Sequence, residues 1–148
     1  MFYHNKGTYC LLIYCREDLK ISVGALGKIR FRPGFYLYAG SALKGMDKRI
    51  SRHLKKKKKV FWHIDRITSD RRFFLEKIYY IDKPQKLECI IAKKLAEIFC
   101  PVIAFGSSDC KCSSHLFFAG EEKTVSEIGK FLIEELGFDF IKQPKEKD

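Results

Sequence analysis

The sequence predicts an α+β fold in which helices flank a small, mainly antiparallel β-sheet. Two patterns support this class. Residues 1–40 contain short apolar segments separated by turn residues, which is typical of antiparallel strands, whereas residues 85–136 contain two apolar stripes with helical spacing. The chain has 148 residues, of which 46% are hydrophobic and 14% aromatic, so it is long enough to bury a core. We therefore predict one domain over residues 1–141, followed by a flexible tail over residues 142–148.

The first predicted element is a strand at Gly7–Cys15, whose loosely alternating apolar sequence suits a strand that is covered on both faces. After a turn at residues 16–18, residues 20–23 would form a returning strand and residues 28–32 a half-exposed one. Residues 35–40 alternate between two faces, as in a strand, and end at a glycine that leaves room for a close backbone or phosphate approach. This part of the chain is therefore predicted to form one antiparallel sheet.

A helix is predicted from Met46 onward. Apolar residues recur there every four positions, at Met46, Ile50 and Leu54. The same spacing holds Arg49 and His53 together at one edge of the helix. The helix is predicted to carry the basic segment that follows.

The rest of the chain is predicted to contain further strands and helices. Thr124 and Glu127 form a capping box for the last helix, and Gly137 would close it. The elements before it are, in order, a short helix or turn at residues 60–68, a strand at 72–81, a helix at 85–100, and short strands at 102–105 and 115–118.

Positive charge is concentrated in one segment. The formal net charge is +11, and residues 48–59 contain eight Lys or Arg and no acidic residue. Such a field attracts a polyanion, so nucleic acid is the leading partner, although a solvated helix face would explain the segment equally well. No apolar run indicates a secretory signal or a membrane span, so we expect a cytoplasmic protein with no membrane partner. The residues predicted to contact nucleic acid are Lys44, Lys48, Arg52, Lys55, Lys56, Lys59 and His63.

Six cysteines stand at positions 10, 15, 89, 100, 110 and 112. Structural disulfides are not expected inside cells outside hyperthermophiles, and one Asn and two Gln beside abundant charged residues are typical of a thermophile. Cys110, Cys112 and His115 form a C-x-C-x-x-H pattern that could hold structural zinc, with a fourth ligand from Asp109, Cys89 or elsewhere. Buried free thiols or a conditional disulfide are the favoured alternative.

The chain contains two short motifs, Gly7-Thr8-Tyr9 and Tyr38-Ala39-Gly40-Ser41-Ala42, which are followed by Lys48-Arg49 and Arg52-His53. Together these residues resemble the GIY-YIG nuclease superfamily. Downstream, Glu88-Cys89 and the loop GSSDCKCSSHLF at residues 106–117 resemble a narrower, mainly archaeal branch, whose members are sometimes fused to endonuclease III-type repair glycosylases.

The resemblance implies hydrolysis of phosphodiester bonds with one divalent metal ion. We expect a DNA endonuclease that acts in repair or recombination and for which DNA shape, such as a flap or branch, matters more than sequence. By that resemblance Glu88 would ligate Mg²⁺ or Mn²⁺, and Arg49 would hold the scissile phosphate. Tyr9, with Tyr38 close by, would position or deprotonate the attacking water, and His53 would assist proton transfer. Phosphoryl transfer needs charge neutralisation and alignment above all, which a metal-bound carboxylate and a guanidinium supply.

Each of these residues also has an ordinary structural interpretation. Tyrosine is a common residue in ordinary strands. An acidic residue such as Glu88 in the first turn of a helix interacts favourably with the helix dipole. The chain departs from the superfamily pattern at Thr8, where Ile is usual, and by an extra strand at residues 28–32 between the two motifs. We expect this insertion to extend the hairpin outward, so that the two tyrosines still meet. The alternative function is a non-catalytic nucleic-acid-binding module of the same fold.

Overall fold

The computed structural model describes residues 2–107 and 110–141. The predicted tail at 142–148 lies outside these residues, as does Asp109, one of the candidate zinc ligands. The elements are, in order, β1 (Gly7–Cys15), β2 (Leu19–Ser22), β3 (Lys28–Phe31), β4 (Gly34–Ala42), α1 (Met46–Leu54), α2 (His63–Thr68), β5 (Phe73–Ile81), α3 (Glu88–Ala96), β6 (Cys100–Pro101), β7 (Leu116–Gly120), α4 (Val125–Leu136) and β8 (Asp139–Phe140).

A six-stranded sheet forms the centre of the fold, with the strand order β6-β7-β4-β1-β5-β8. Every neighbouring pair is antiparallel. The central strand, β1, pairs with β4 along its whole length, from Gly7 opposite Ala42 to Cys15 opposite Gly34. A separate two-stranded sheet contains β2 and β3. The predicted α+β class, with a mainly antiparallel sheet and flanking helices, is confirmed.

Strand β1 is buried on both faces because the sheet lies between two layers. Successive side chains of a strand point to opposite faces. On one face, Tyr9 and Leu11 pack with α1, α2 and the β2–β3 hairpin. On the other face, Cys10 and Leu12 pack with α3 and α4. This confirms the prediction, from its loosely alternating apolar sequence, that β1 is covered on both sides.

The predicted pairing of β2 with β1 is wrong. Strand β2 pairs with β3, from Leu19 opposite Phe31 to Ser22 opposite Lys28, and not with β1. The longer strand β4 occupies the neighbouring edge of β1, because its nine residues match the full length of β1. The insertion therefore forms a hairpin of its own that packs on one face of the sheet, and does not extend the β1 hairpin outward as expected. The two motif tyrosines still lie on adjacent strands.

Helix α1 ends at Leu54, so the helix predicted to carry the lysines stops before most of them. Lys55 already has an extended backbone, with φ −81° and ψ 125°. A helix through five consecutive lysines would place like charges three and four residues apart, which is unfavourable. The Lys56 ammonium instead donates to the carbonyl oxygens of Asp70 and Phe73, at 3.1 Å and 2.8 Å. These contacts hold the segment in a non-helical conformation.

Several boundaries in the second half also differ from prediction. Helix α3 covers only Glu88–Ala96, whereas a helix over 85–100 was predicted. The amide of Leu87, just before the helix, donates to Thr8 Oγ1 at 3.2 Å. Residues 102–105 form a turn in place of a strand, because Ala104 has a φ of 62°. The edge strand lies earlier, at β6. The capping box of α4 is confirmed, since the Glu127 amide donates to Thr124 Oγ1 at 3.1 Å.

Among the helices of the described residues, none combines the length and the apolar composition needed to cross a bilayer.

Candidate functional site

A cleft of about 490 Å³ opens at the ends of β1 and β4, beside the N-terminus of α3. Four of the five residues predicted to be catalytic line it. The fifth, His53, lies directly behind Tyr9, and its side chain is buried. Residues of two strands, β1 and β4, and of three helices, α1, α2 and α3, therefore line one cavity. The described residues of interest in its wall are Tyr9, Tyr38, Ser41, Arg49, Trp62, His63, Lys86, Glu88 and His115.

Tyr9 is fixed by a cross-strand contact and by a hydrogen bond. Its partner in the β1–β4 register is Gly40, and a Cβ atom at position 40 would lie 2.5 Å from the Tyr9 hydroxyl. The ring therefore lies directly across the glycine. Tyr9 Oη is 2.8 Å from His53 Nε2, and the rings of Tyr9 and Tyr38 are 6.5 Å apart. Gly40 is thus required by the position of Tyr9.

Burial controls the ionisation of Tyr9, Tyr38 and His53. It lowers the pKa of His53 to about 3, and the neighbouring Lys58 ammonium acts in the same direction. Burial also raises the pKa of the Tyr9 hydroxyl, and the Arg49 guanidinium offsets only part of that rise. The pKa of Tyr38 is raised for the same reason, with the Tyr9 hydroxyl adding to it. At neutral pH the tyrosines and the imidazole are therefore uncharged.

Arg49 reaches the cleft from α1 and is held in two ways. Its guanidinium lies 4.3 Å from the centre of the Trp62 ring, and Nη1 donates to the Ser41 carbonyl at 3.2 Å. Trp62 is in turn fixed by its amide, which donates to Asp65 at 2.9 Å. Because the N–H donors of a guanidinium point outward in its own plane, Arg49 can lie over the Trp62 ring and still present donors to a phosphate.

Glu88 is the one carboxylate among the described residues that line the cleft. It is the first residue of α3, and its Oε2 lies 2.7 Å from His115 Nδ1. Burial alone would raise the pKa of Glu88, but hydrogen bonds from His115 and Ser41 outweigh it and hold the pKa below its ordinary value. The carboxylate is therefore ionised and can bind a cation. His115 was considered from the sequence only as a zinc ligand, because nothing in the sequence indicates that it contacts Glu88.

A basic groove leads away from the cleft along α1 and the lysines that follow. Its main cavity is about 610 Å³ and is lined by Lys48, Arg52, Lys55 and Lys59 together with other residues of that segment. A smaller cavity beside it is lined by Lys44, Lys48 and Arg49, and so joins the groove to the cleft. Three further lysines line these cavities although the sequence did not indicate them: Lys57, Lys58 and Lys86.

Two residues predicted to contact nucleic acid have structural partners instead of an open side chain. Lys56 is only 8% exposed, and its ammonium is bonded to carbonyl groups inside the fold. Arg52 donates to Asp65 at 2.7 Å, and Asp65 is fully buried. These side chains hold the basic segment in place. His63 lines the cleft, and its ring lies 5.8 Å from that of Phe105.

Three cysteines and a histidine meet at the edge of the cleft. Cys89 comes from the first turn of α3, and Cys110, Cys112 and His115 come from the loop before β7. Their ligand atoms all lie within 4.8 Å of one another, and Cys110 Sγ is 3.3 Å from His115 Nε2. All six cysteines are unpaired thiols. This Cys₃His group could bind a metal ion, and Cys89 is the fourth member that the sequence suggested as one of its alternatives.

Comparison with known proteins gives one match. Residues 8–138 match the model of a protein family described as "Domain of unknown function DUF123". Neither the curated proteins nor the solved structures contain a match. The matched range includes every residue of the cleft and of the Cys₃His group that is named above. Because it covers most of the chain, the protein belongs to the DUF123 family.

Proposed function

We propose that the protein is a divalent-metal-dependent endonuclease of the GIY-YIG type, which hydrolyses phosphodiester bonds in DNA. The observation that carries this proposal is the convergence of Tyr9, Arg49 and the ionised Glu88 on one cleft that opens into a basic groove. A binding module would need the groove and the guanidinium. It would not need a lone carboxylate, which repels phosphate, at the centre of the cleft.

Glu88 would hold Mg²⁺ or Mn²⁺. The residue fits such an ion because a carboxylate has about four acceptor positions, of which contacts with His115 and Ser41 use only some. Mg²⁺ in phosphoryl-transfer sites is commonly bound by one or two carboxylates together with water and substrate phosphate. The bound ion would neutralise the charge that develops on the phosphate during hydrolysis.

The other residues of the cleft would align the phosphate and the water. Arg49 would donate to the non-bridging phosphate oxygens, with Trp62 keeping its guanidinium in one orientation. The hydroxyls of Tyr9 and Tyr38 would position the attacking water. As Tyr9 takes a proton from that water, its own proton would pass to the neutral Nε2 of His53, 2.8 Å away. With a pKa of about 3 before substrate binds, His53 is a weak base, so this transfer would depend on the negative charge of the bound phosphate, which favours the protonated imidazole.

The basic groove favours a substrate chosen by shape. Lysine side chains along α1 would contact phosphates, which provide affinity without information on base sequence. A groove that continues beyond the cleft in one direction suits a flap or branch, whose junction would lie at the cleft. We therefore propose that the protein acts in DNA repair or recombination. The location that we propose for it is the cytoplasm.

A non-catalytic nucleic-acid-binding module is the second candidate. The observation that favours it is the burial of the proposed proton relay, since Tyr9 and His53 are each 1% exposed. A water molecule must reach Tyr9 for hydrolysis, whereas binding through the groove requires no such access.

The test is cleavage of labelled single-stranded, duplex, flap and branched DNA, each with Mg²⁺, Mn²⁺ or EDTA. Glu88→Gln is the diagnostic variant. Glu97→Gln, an exposed carboxylate at the opposite end of α3, is the matched control. Metal-dependent cutting that is lost in Glu88→Gln and kept in Glu97→Gln supports the nuclease. Binding to every DNA without cutting would favour the module.

A further inference from the structure

The Cys₃His group lies next to the proposed catalytic carboxylate but has no part in the chemistry described above. We propose that Cys89, Cys110, Cys112 and His115 bind one structural Zn²⁺ ion, and that this ion orients Glu88 through the imidazole of His115. The first part of this proposal stands alone. The second part rests on the proposed function, in which Glu88 holds the hydrolytic metal ion.

The distances within the group are close to those of a tetrahedral zinc site. With Zn–S bonds of about 2.3 Å, the sulfur atoms of such a site lie about 3.8 Å apart. The four ligand atoms here are all within 4.8 Å of one another without an ion, and the Cys110 Sγ to His115 Nε2 distance is already 3.3 Å. Binding would therefore require side-chain adjustments of about 1 Å or less, and no change of backbone.

The donor atoms select the metal. Thiolate and imidazole ligands in a tetrahedral set favour Zn²⁺, whereas Mg²⁺ and Mn²⁺ prefer oxygen. Four protein ligands leave no open position, which is the pattern of a structural site and not of a catalytic one. The hydrolytic ion at Glu88 and the proposed Zn²⁺ would thus differ in ligands, and the two sites would not compete for the same ion.

The ligands come from two parts of the fold. Cys89 belongs to α3, whereas the other three belong to the loop between β6 and β7. The His115 end of that loop is attached to the sheet, since the Ala39 amide donates to the His115 carbonyl at 2.9 Å. The Cys112 sulfur lies 4.0 Å from the Cys89 carbonyl oxygen. A zinc ion would fasten this loop to the helix that carries Glu88.

The two nitrogen atoms of His115 face different partners. Nε2 faces the thiol of Cys110, and Nδ1 lies 2.7 Å from Glu88 Oε2. A metal ion on Nε2 leaves the proton on Nδ1. That nitrogen is buried and has no aligned hydrogen-bond partner among the described residues, so a small rotation of the ring on binding the ion would let it donate to the carboxylate. This is the carboxylate–histidine–zinc arrangement by which a second residue is oriented through a metal ligand. Since Cys89 also follows Glu88 directly in the chain, the ion would restrain that carboxylate from two sides.

Zinc binding is tested on the purified full-length chain by metal analysis and by Co²⁺ substitution. We expect one Zn²⁺ per chain, and a Co²⁺ form with the intense visible absorption of a tetrahedral thiolate site. Cys112→Ser should lose the ion, and Cys100→Ser, an exposed cysteine outside the group, should keep it. A wild-type chain that holds no zinc and gives no such Co²⁺ spectrum, or one in which these thiols form a disulfide, would overturn the proposal without any need for a variant.

The orienting role is tested with His115→Cys, which can keep four zinc ligands but has no nitrogen to face Glu88. Mn²⁺ binding, followed by electron paramagnetic resonance without DNA, is the measurement. We expect His115→Cys to retain zinc and to bind Mn²⁺ about tenfold to a hundredfold more weakly. Unchanged Mn²⁺ affinity in a zinc-loaded His115→Cys would contradict the orienting role. If Mn²⁺ binds the wild type at no site that Glu88→Gln removes, the proposed function fails while the zinc site stands.

Discussion

The hydroxyl of Tyr9 and Nε2 of His53 lie 2.8 Å apart, in a part of the core where each residue is only 1% exposed. Tyr9 comes from the central strand β1, and His53 comes from the last turn of α1. This contact joins the sheet to the basic helix behind the cleft. Both side chains are neutral there, because burial disfavours their charged forms.

The burial of His53 predicts a pH dependence of stability. With its folded-state pKa lowered to about 3, His53 stays neutral in the fold while the unfolded chain binds a proton below its ordinary pKa. Stability therefore falls as pH drops from about 6.5 to about 3, by about 1.4 kcal/mol per pH unit from this residue. Urea unfolding between pH 4 and pH 7 should show a shallower dependence in His53→Gln than in the wild type. An equal dependence in both would show that His53 is not buried neutral, and His4→Gln, an exposed histidine, is the control.

Gly40→Ala should displace Tyr9. The added Cβ would lie 2.5 Å from the Tyr9 hydroxyl, and overpacking of this kind costs about 1–3 kcal/mol. We expect that loss in urea unfolding of Gly40→Ala. In a Tyr9→Leu background, where no ring lies over position 40, the same substitution should cost less. A cost that is the same in both backgrounds would mean that the clash is not with Tyr9.

Much of the site could be predicted because its residues are read from local spacing. The two motifs lie on neighbouring strands, and the four-residue interval between Arg49 and His53 places both on one side of α1. The contact between Glu88 and His115 could not be predicted, since the two residues are far apart in sequence and meet only after β7 pairs with β4. The capping box at Thr124 was predictable for the same reason as the motifs, because it is local.

The errors in the fold arise where several partners compete. The local sequence suggests that β2 returns along β1, but it contains no information on the longer strand β4, which takes that edge of β1. The lysine segment was read as helical from the apolar spacing before it. Its path is decided instead by distant groups, such as the carbonyls of Asp70 and Phe73 that accept from Lys56. Composition alone does not distinguish a lysine whose ammonium donates to a buried carbonyl from a lysine that is solvated.

The buried pair of Arg52 and Asp65 predicts a large effect of a conservative change. Asp65 is fully buried and accepts from Arg52 at 2.7 Å, so Asp65→Asn would leave a partly buried cation without its partner. We expect a loss of about 3 kcal/mol in urea unfolding. The exposed pair of Arg30 and Asp18 is the matched control, for which Asp18→Asn should cost much less, because solvent screens an exposed ion pair. Similar costs for the two variants would refute the structural role of Arg52.

The basic groove predicts a defined salt dependence of DNA binding. Lys48 and Lys55 are exposed and line the groove, whereas Lys130 lies on α4, which packs on the opposite face of the sheet. Each phosphate contact that is lost should lower the slope of log affinity against log salt by about 0.9 for duplex DNA. Lys48→Gln and Lys55→Gln should each do so, and Lys130→Gln should not. If all three variants keep the wild-type slope, DNA does not occupy this groove.

The most direct test of the account is single-turnover cleavage of one DNA by wild type and Glu88→Gln at equal saturation. Saturation is established by binding in EDTA, so that a difference in rate cannot reflect affinity. The account predicts metal-dependent cutting by the wild type and a rate lower by about a hundredfold or more in Glu88→Gln, because the carboxylate that would hold the charge-neutralising ion is gone. A wild type that binds DNA and leaves it intact with Mg²⁺ and Mn²⁺, or a Glu88→Gln variant that cuts at the wild-type rate, would contradict it.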